Sequence, residues 1–172
     1  RRLMEELGTG ILRIGCGSLT LVPVANPLAF ARGQRVGDRN LNRNFRPTLH
    51  PQDNEDRIAN VLCPLLASHD VLLDLHSFHT AGEPFAMRGP GNNCGTLEPF
   101  SLANEEHALA VRLGVRRIVD GWMATYATGV AERLARTPPA NRAGLLSVDP
   151  FYGMGTTEYM RSQGGISITL EC

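Results

Sequence analysis

Between residues 32 and 46 the chain carries five arginines, Arg32, Arg35, Arg39, Arg43 and Arg46, interleaved with Asp38, Asn40, Asn42 and Asn44. Guanidinium groups at this density either sit in water on a polar loop or form a cluster of planar donors for carboxylates. A second stretch with chemical potential is Val71-Leu72-Leu73-Asp74-Leu75-His76-Ser77, an apolar run ending in an acid, a leucine and a histidine. His76 there can be a metal ligand, a general base or a hydrogen-bonded wall residue. A third is Ile166-Ser167-Ile168-Thr169-Leu170-Glu171, a second apolar run, ending on a carboxylate. Together the three stretches offer donors for a carboxylate, an imidazole able to bind metal and a carboxylate able to act as a base.

Those side chains need elements to hold them. The run at 71–76 is too short for a helix and reads as a buried, central parallel strand, whose carboxyl end is where ligands bind in sheets of this kind. Residues 166–170 read as a final strand, preceded by a helix over 156–163 that Gly164-Gly165 stops. Asp53-Asn54-Glu55 caps a helix running to about Ser68, with Ile58, Leu62, Leu65 and Leu66 on one face. Upstream, a helix over residues 2–7 ends at Gly8-Thr9-Gly10, and a buried strand is expected at 19–24. Asn26-Pro27 closes that strand and opens the long arginine loop. Residues 77–101, rich in Gly, Pro and Asn, read as an irregular loop over the end of the His76 strand. A helix at 104–113, a short strand at 115–119 and a proline-marked loop at 136–150 complete the pattern. Strands alternating with helices imply one three-layer α/β domain over 1–172 with a mostly parallel, mixed central sheet.

Composition narrows the partners. The chain has 172 residues, 42% hydrophobic, with 17 basic against 17 acidic side chains. A neutral chain without a clustered basic face lacks the positive footprint of a nucleic-acid or anionic-membrane binder, so the expected partner is a small molecule. No apolar run approaches the roughly 18 residues of a spanning helix, and no signal-peptide pattern opens the chain. Cys16, Cys63, Cys94 and Cys172 form no Cys-x-x-Cys pair and suit a reducing compartment, which predicts a cytoplasmic protein. Both ends are expected to be cut, because the chain opens inside a helix with no cap and stops directly after a strand.

The order of elements Asn26-Pro27-Leu28-Ala29, Arg35, Asn40-Leu41-Asn42-Arg43-Asn44-Phe45, Asp74-Leu75-His76-Ser77 and Gly165-Ile166-Ser167-Ile168-Thr169-Leu170-Glu171 resembles the succinylglutamate desuccinylase and aspartoacylase family, which belongs with the zinc carboxypeptidases. The resemblance runs over nearly the whole chain. It implies a zinc-carboxypeptidase-like fold and a zinc-dependent hydrolase that cleaves an amide next to a carboxylate, either an N-acyl amino acid deacylase or a carboxypeptidase-like enzyme. By matching position, His76 is the implied third zinc ligand and Glu171 the general base for zinc-activated water. Arg35 is the group that polarises the scissile carbonyl, and Asn42 and Arg43 grip the substrate carboxylate. Zinc chemistry of this kind rests on Lewis acidity and a lowered water pKa. The family's first two ligands form a His-x-x-Glu pair, which this sequence lacks, so they are expected upstream of Arg1. The family also often has an aspartate at the position of Asn40, where it would orient a zinc-binding histidine.

Other residues were weighed for chemistry. A His76/His79/Glu83 metal site is an alternative on the loop, although His-x-x-His there has no fixed face, and His79 otherwise lines the pocket mouth. Glu132 and Glu158 read as solvated helix residues, and His50, His69 and His107 as surface. Arg88-Gly89-Pro90-Gly91-Asn92-Asn93 lacks a Gly-Lys-Ser/Thr ending and reads as a covering loop, with Phe78, Phe85 and Phe151 as pocket walls. No Gly-x-Ser-x-Gly elbow supports a metal-free hydrolase. A non-catalytic domain that binds a carboxylate ligand through Arg35, Asn42 and Arg43 without metal is the remaining alternative.

Overall fold

Asp53 turns the chain into a helix by accepting a hydrogen bond from the Asp56 backbone N–H, and helix α3 follows over Asn54–Ala67. From α3 the chain passes through Ser68 into strand β1, Val71–His76. The computed structural model describes residues 2–78, 80–144 and 148–172. Within them the elements run α1 (Arg2–Gly8), α2 (Pro27–Ala31), α3, β1, β2 (Phe85–Met87), α4 (Ala103–Arg112), β3 (Arg117–Val119), α5 (Trp122–Arg136), α6 (Thr156–Ser162) and β4 (Ile166–Glu171). Two 3₁₀ turns, Pro139–Gly144 and Pro150–Gly153, lie between α5 and α6.

The sheet is mixed, in the order β1-β4-β2-β3. β1 and β4 run parallel, β2 and β3 run parallel, and β2 meets β4 antiparallel. Registration pairs Asp74 with Thr169 and His76 with Glu171. Alternation then decides which face each side chain joins. Ile168 and Ala86 pack with Ala110 of α4, with Leu109, Leu113, Val115 and Ile118 around them. On the opposite face Ser167 reaches α6, where its hydroxyl donates to the Thr157 carbonyl at 2.8 Å. Beyond α6 a second cluster joins Phe45, Ala59, Cys63 and Tyr159, flanked by Leu41, Leu62 and Leu66. Helices therefore cover both faces, giving the three-layer α/β arrangement of the zinc-carboxypeptidase-like fold.

Four expectations need correction, and one helix was not foreseen. Residues 19–24 form no strand; they are irregular, with Leu19, Leu21 and Val22 exposed. β1 is accordingly an edge strand among the described residues rather than a central one, and Val71, Leu73 and Leu75 on its α4-side face are exposed, Leu75 by 68%. Pro27 does not lead straight into a loop: it occupies the first turn of α2, where a missing N–H does no harm, and Asn26 caps that helix by accepting from Ala29 N at 3.1 Å. The loop expected over residues 77–101 contains β2, three residues too few to show periodicity. Helix α5 starts after Gly121, which adopts φ 82° and offers no capping side chain, so the usual start signal is missing. Its apolar positions Met123, Tyr126 and Val130 nonetheless recur at helical spacing.

Candidate functional site

His76 and Glu171 are the last residues of two adjacent parallel strands, so the sheet delivers both to one rim. His76 Nδ1 lies 3.4 Å from Glu171 Oε1, and its Nε2 lies 3.1 Å from Asp74 Oδ2. Asp74 precedes His76 by two residues in β1, so both side chains project from the same face. Hydrogen bonding to Asp74 raises the proton affinity of His76; burial opposes this, and the carboxylates of Asp74 and Glu171 add to it. Burial pushes the Asp74 carboxyl up, but its bonds to His76 and to Thr156 more than offset this and hold it below the usual carboxylate range.

A pocket of about 190 Å³ opens at this rim, walled by Arg35, Asn42, Arg43, Met87, Arg88, Trp122, Glu158 and Arg161 beside His76 and Glu171. Its cationic side is built on the segment leading to Phe45, a side chain 1% exposed that anchors the segment in the core beneath. Asn42 Oδ1 accepts from Thr156 N at 3.1 Å at the start of α6. The Arg43 guanidinium lies 4.7 Å from the Trp122 ring centre and 5.8 Å from that of Tyr126. Trp122 is held in turn by its Nε1, which donates to the Gly153 carbonyl at 3.0 Å. Burial lowers the proton affinity of Arg43, and neighbouring Arg35 adds to that effect.

The arginines divide by role. Arg39 is structural: Nε donates to Asp53 at 2.7 Å and Nη2 to Asp56 at 2.7 Å, tying the loop to the first turn of α3. Arg32 donates to the Gly37 carbonyl, and Arg46 is exposed. Only Arg35 and Arg43 of the five line the pocket.

Below the pocket lies a buried ionic cluster that corrects the reading of Glu158 as solvated. The Arg161 side chain is 3% exposed; Nη2 donates to Glu158 at 2.8 Å, Nε to Glu98 at 2.7 Å, and Nη1 lies 3.5 Å from Glu106. Glu158 Oε2 also accepts from Gly155 N at 2.8 Å, and Glu106 Oε2 from Ser167 N at 2.7 Å. Burial raises the Glu98 carboxyl despite the arginine beside it.

A profile for the succinylglutamate desuccinylase/aspartoacylase catalytic domain matches residues 1–84, which include the Asn42-Arg43 segment and the whole of β1. Over those residues the chain is similar to this family. No curated protein sequence matches it. Among solved structures, the product-bound ectoine utilization protein EutE (DoeB) of Ruegeria pomeroyi resembles it at 22% identity and a TM-score of 0.55, over 88% of this chain and 38% of that one. That likeness shows the fold; the chain spans 38% of the length of EutE.

All five residues singled out from the sequence, Arg35, Asn42, Arg43, His76 and Glu171, line one pocket. Asn40 does not reach the histidine. Its Oδ1 accepts from Asn42 N at 3.0 Å, and Asp74 takes the orienting place instead. Phe78 and Phe85 stack on each other at 6.2 Å but, like Phe151, do not line the pocket, whose apolar wall is Trp122 and Met87. Glu83 pairs with Arg117 at the surface, at 2.9 Å. His79, and with it the alternative His76/His79/Glu83 site, lies outside the described residues. Among the described residues no group of three or more His, Cys, Asp and Glu side chains is arranged to hold a metal ion. Trp122, Arg161 and Asp74 are the residues that sequence reasoning missed. Asp74 was open to discovery, since an acid two positions before a histidine in a strand must share its face. No helix in the chain is long and apolar enough to cross a membrane, among the residues described.

Proposed function

We propose that this domain is the catalytic part of a zinc-dependent hydrolase that cleaves an amide bond adjacent to a carboxylate, on a small N-acyl amino acid or a related peptide. The observation that carries the reading is the pairing of His76 with Glu171 at the ends of adjacent parallel strands, 3.4 Å apart at the pocket rim. The donor chemistry at His76 fits zinc. One ring nitrogen is engaged by the Asp74 carboxylate, the usual companion of a metal-binding imidazole, and the other faces the pocket. His76 would hold the metal together with ligands beyond the described residues. When bound, zinc supplies Lewis acidity to a carbonyl and makes water more acidic.

The chain's own groups do the rest. Asn42 and Arg43 bind the substrate carboxylate, the guanidinium through two parallel N–H donors, so the amide lies in one orientation along the pocket. Arg35, which lines the pocket, donates to the scissile carbonyl oxygen and stabilises charge that develops mainly in the transition state. Glu171 takes the proton from the attacking water and returns it to the leaving amine, a role for which a carboxylate at the rim is suited. The free thiols Cys16, Cys63, Cys94 and Cys172 fit a reducing cytoplasm. EutE was solved with a bound product, in keeping with a small-molecule substrate here. A second reading, carboxylate binding without turnover, draws on Asn42, Arg43 and Trp122, which assemble their half of the pocket without any metal.

Elemental analysis and amide-hydrolysis assays on the intact protein separate the two. His76→Ala is expected to lose zinc and activity together. Glu171→Gln is expected to keep zinc while kcat falls by about 10²–10⁴-fold. Full turnover by either variant refutes the mechanism, and a wild-type protein that binds an N-acyl amino acid without zinc supports the binding domain.

A further inference from the structure

The geometry points to Thr156 as a positioning residue that couples the two halves of the pocket, holding Asp74 against His76 with its hydroxyl while its backbone holds Asn42. This rests on the assignment of His76 above and extends it to a residue that touches neither substrate nor metal.

Thr156 opens α6 and faces two ways. Its hydroxyl donates to Asp74 Oδ2, the same oxygen that lies 3.1 Å from His76 Nε2. Its N–H donates to Asn42 Oδ1 at 3.1 Å. A hydroxyl has a single proton to give, and giving it to the carboxylate fixes where that oxygen sits. A carboxylate held there engages the imidazole at Nε2 and so sets how the ring is turned, with Nδ1 towards Glu171. Without the hydroxyl, Asp74 keeps its place in β1 but loses a fixed rotamer.

The turn that carries Thr156 cannot easily shift. A Cβ at Gly155 would overlap the Asn42 carboxamide, so the Asn42 side chain packs directly on the main chain here and any larger residue would displace it. Gly155 N is bonded to Glu158, and Glu158 is bonded to the buried Arg161. The ionic cluster thus acts as the footing of the helix start, and Thr156 as its contact with the site. Without the threonine hydroxyl the helix start and its hold on Asn42 survive, because that hold is made by the main chain.

Thr156→Val keeps the β-branched shape and the N–H but removes the hydroxyl; Thr156→Ser keeps both. In ¹H–¹³C correlation spectra of the intact protein, Thr156→Ser is expected to keep the wild-type His76 ring signals, and Thr156→Val to shift and broaden them as the ring loses its fixed orientation. In turnover, Thr156→Val is expected to lose about 10- to 100-fold in kcat with KM within about twofold, and Thr156→Ser to recover most of it. Thr156→Ala repeats the loss without setting a methyl group against Asp74, and its backbone amide spectrum reports whether the fold is kept. A wild-type imidazole pattern in folded Thr156→Val and Thr156→Ala overturns the proposal, as does a rise in KM matching the fall in kcat. The spectra decide it even if His76→Ala shows that the histidine is not a metal ligand.

Discussion

Arg43 shows how much of a binding group's behaviour is set by what it lies against. Its plane rests on Trp122 and Tyr126, a cation–π arrangement that contributes about 0.5–2 kcal/mol and, more to the point, removes the freedom of a long side chain to swing. Nη1 donates to the Asn42 carbonyl, and in the proposed function the remaining donors of the guanidinium meet a carboxylate as a fork. Lysine reproduces the charge but neither the plane nor the fork. Arg43→Lys is therefore expected to raise KM by about 10- to 100-fold with a smaller change in kcat, as loss of binding shared by ground and transition states requires. Steady-state kinetics check this, and an unchanged KM would remove Arg43 from the carboxylate site. Arg39, four residues earlier, shows the opposite outcome from the same residue type: with Asp53 and Asp56 as partners it is a structural clamp.

At the scale of elements, α6 carries the site, and one buried arginine holds α6 in place. Arg161 stands among Glu98, Glu106 and Glu158, with Ser167 of β4 completing its contacts through a 2.8 Å bond. Three carboxylates around a single guanidinium leave no spare positive charge, so removing it strands buried acids that water cannot reach. Arg161→Met is expected to destabilise the fold by about 3–5 kcal/mol, the range for breaking a buried pair from one side. Urea unfolding would measure it, and a loss below about 1 kcal/mol would mean the cluster relaxes by taking up water or protons. The exposed pair Arg136–Glu132 on α5, 3.7 Å apart, is the natural comparison, where removal should change little.

For the molecule as a whole the carboxylates at the start of α3 set the response to acid. Burial pushes Glu55 up, but the Asn26 amide and the backbone N–H groups of Arg39 and Asp38 overcome it and hold the carboxyl below its usual range. Asp56 behaves likewise, with burial opposed by Gln52 N and by Arg39. A carboxyl held lower in the folded state than in the unfolded chain contributes stability above its unfolded value, about 4, and that contribution is lost as pH falls through the folded value. The protein is thus expected to hold its stability near neutral pH and to lose it on acidification below about pH 4. Glu55→Gln is expected to cost about 1–3 kcal/mol at pH 7 and to flatten that decline. Denaturant unfolding from pH 7 to pH 3 tests both, and a wild-type stability that stays level over the range would refute them.

What could be read along the chain follows from the range of the forces that wrote it. Asp53 caps α3 from three residues away, and β1 and β4 announce themselves as short apolar runs, because capping and burial in a sheet act on contiguous residues. The family motifs, each a few residues long, carried Arg35, Asn42, Arg43, His76 and Glu171 in the same way. Other features depended on partners distant in sequence. Residues 19–24 have a strand's pattern but pair with no strand among the described residues, and β2 has three residues whose place comes from pairing with β3 and β4. Glu158 looks like any helix-surface acid until Arg161, Glu98 and Glu106 are seen closing around it. The sequence by itself determined the three-layer α/β class, the likeness to the desuccinylase/aspartoacylase family over residues 1–84 and the identity of the pocket's charged groups. Only the tertiary structure decided that His76 stands opposite Glu171, that Asp74 rather than Asn40 orients it, and that Thr156 joins both halves of the pocket, because strand register and side-chain contact across layers depend on packing that no local pattern records.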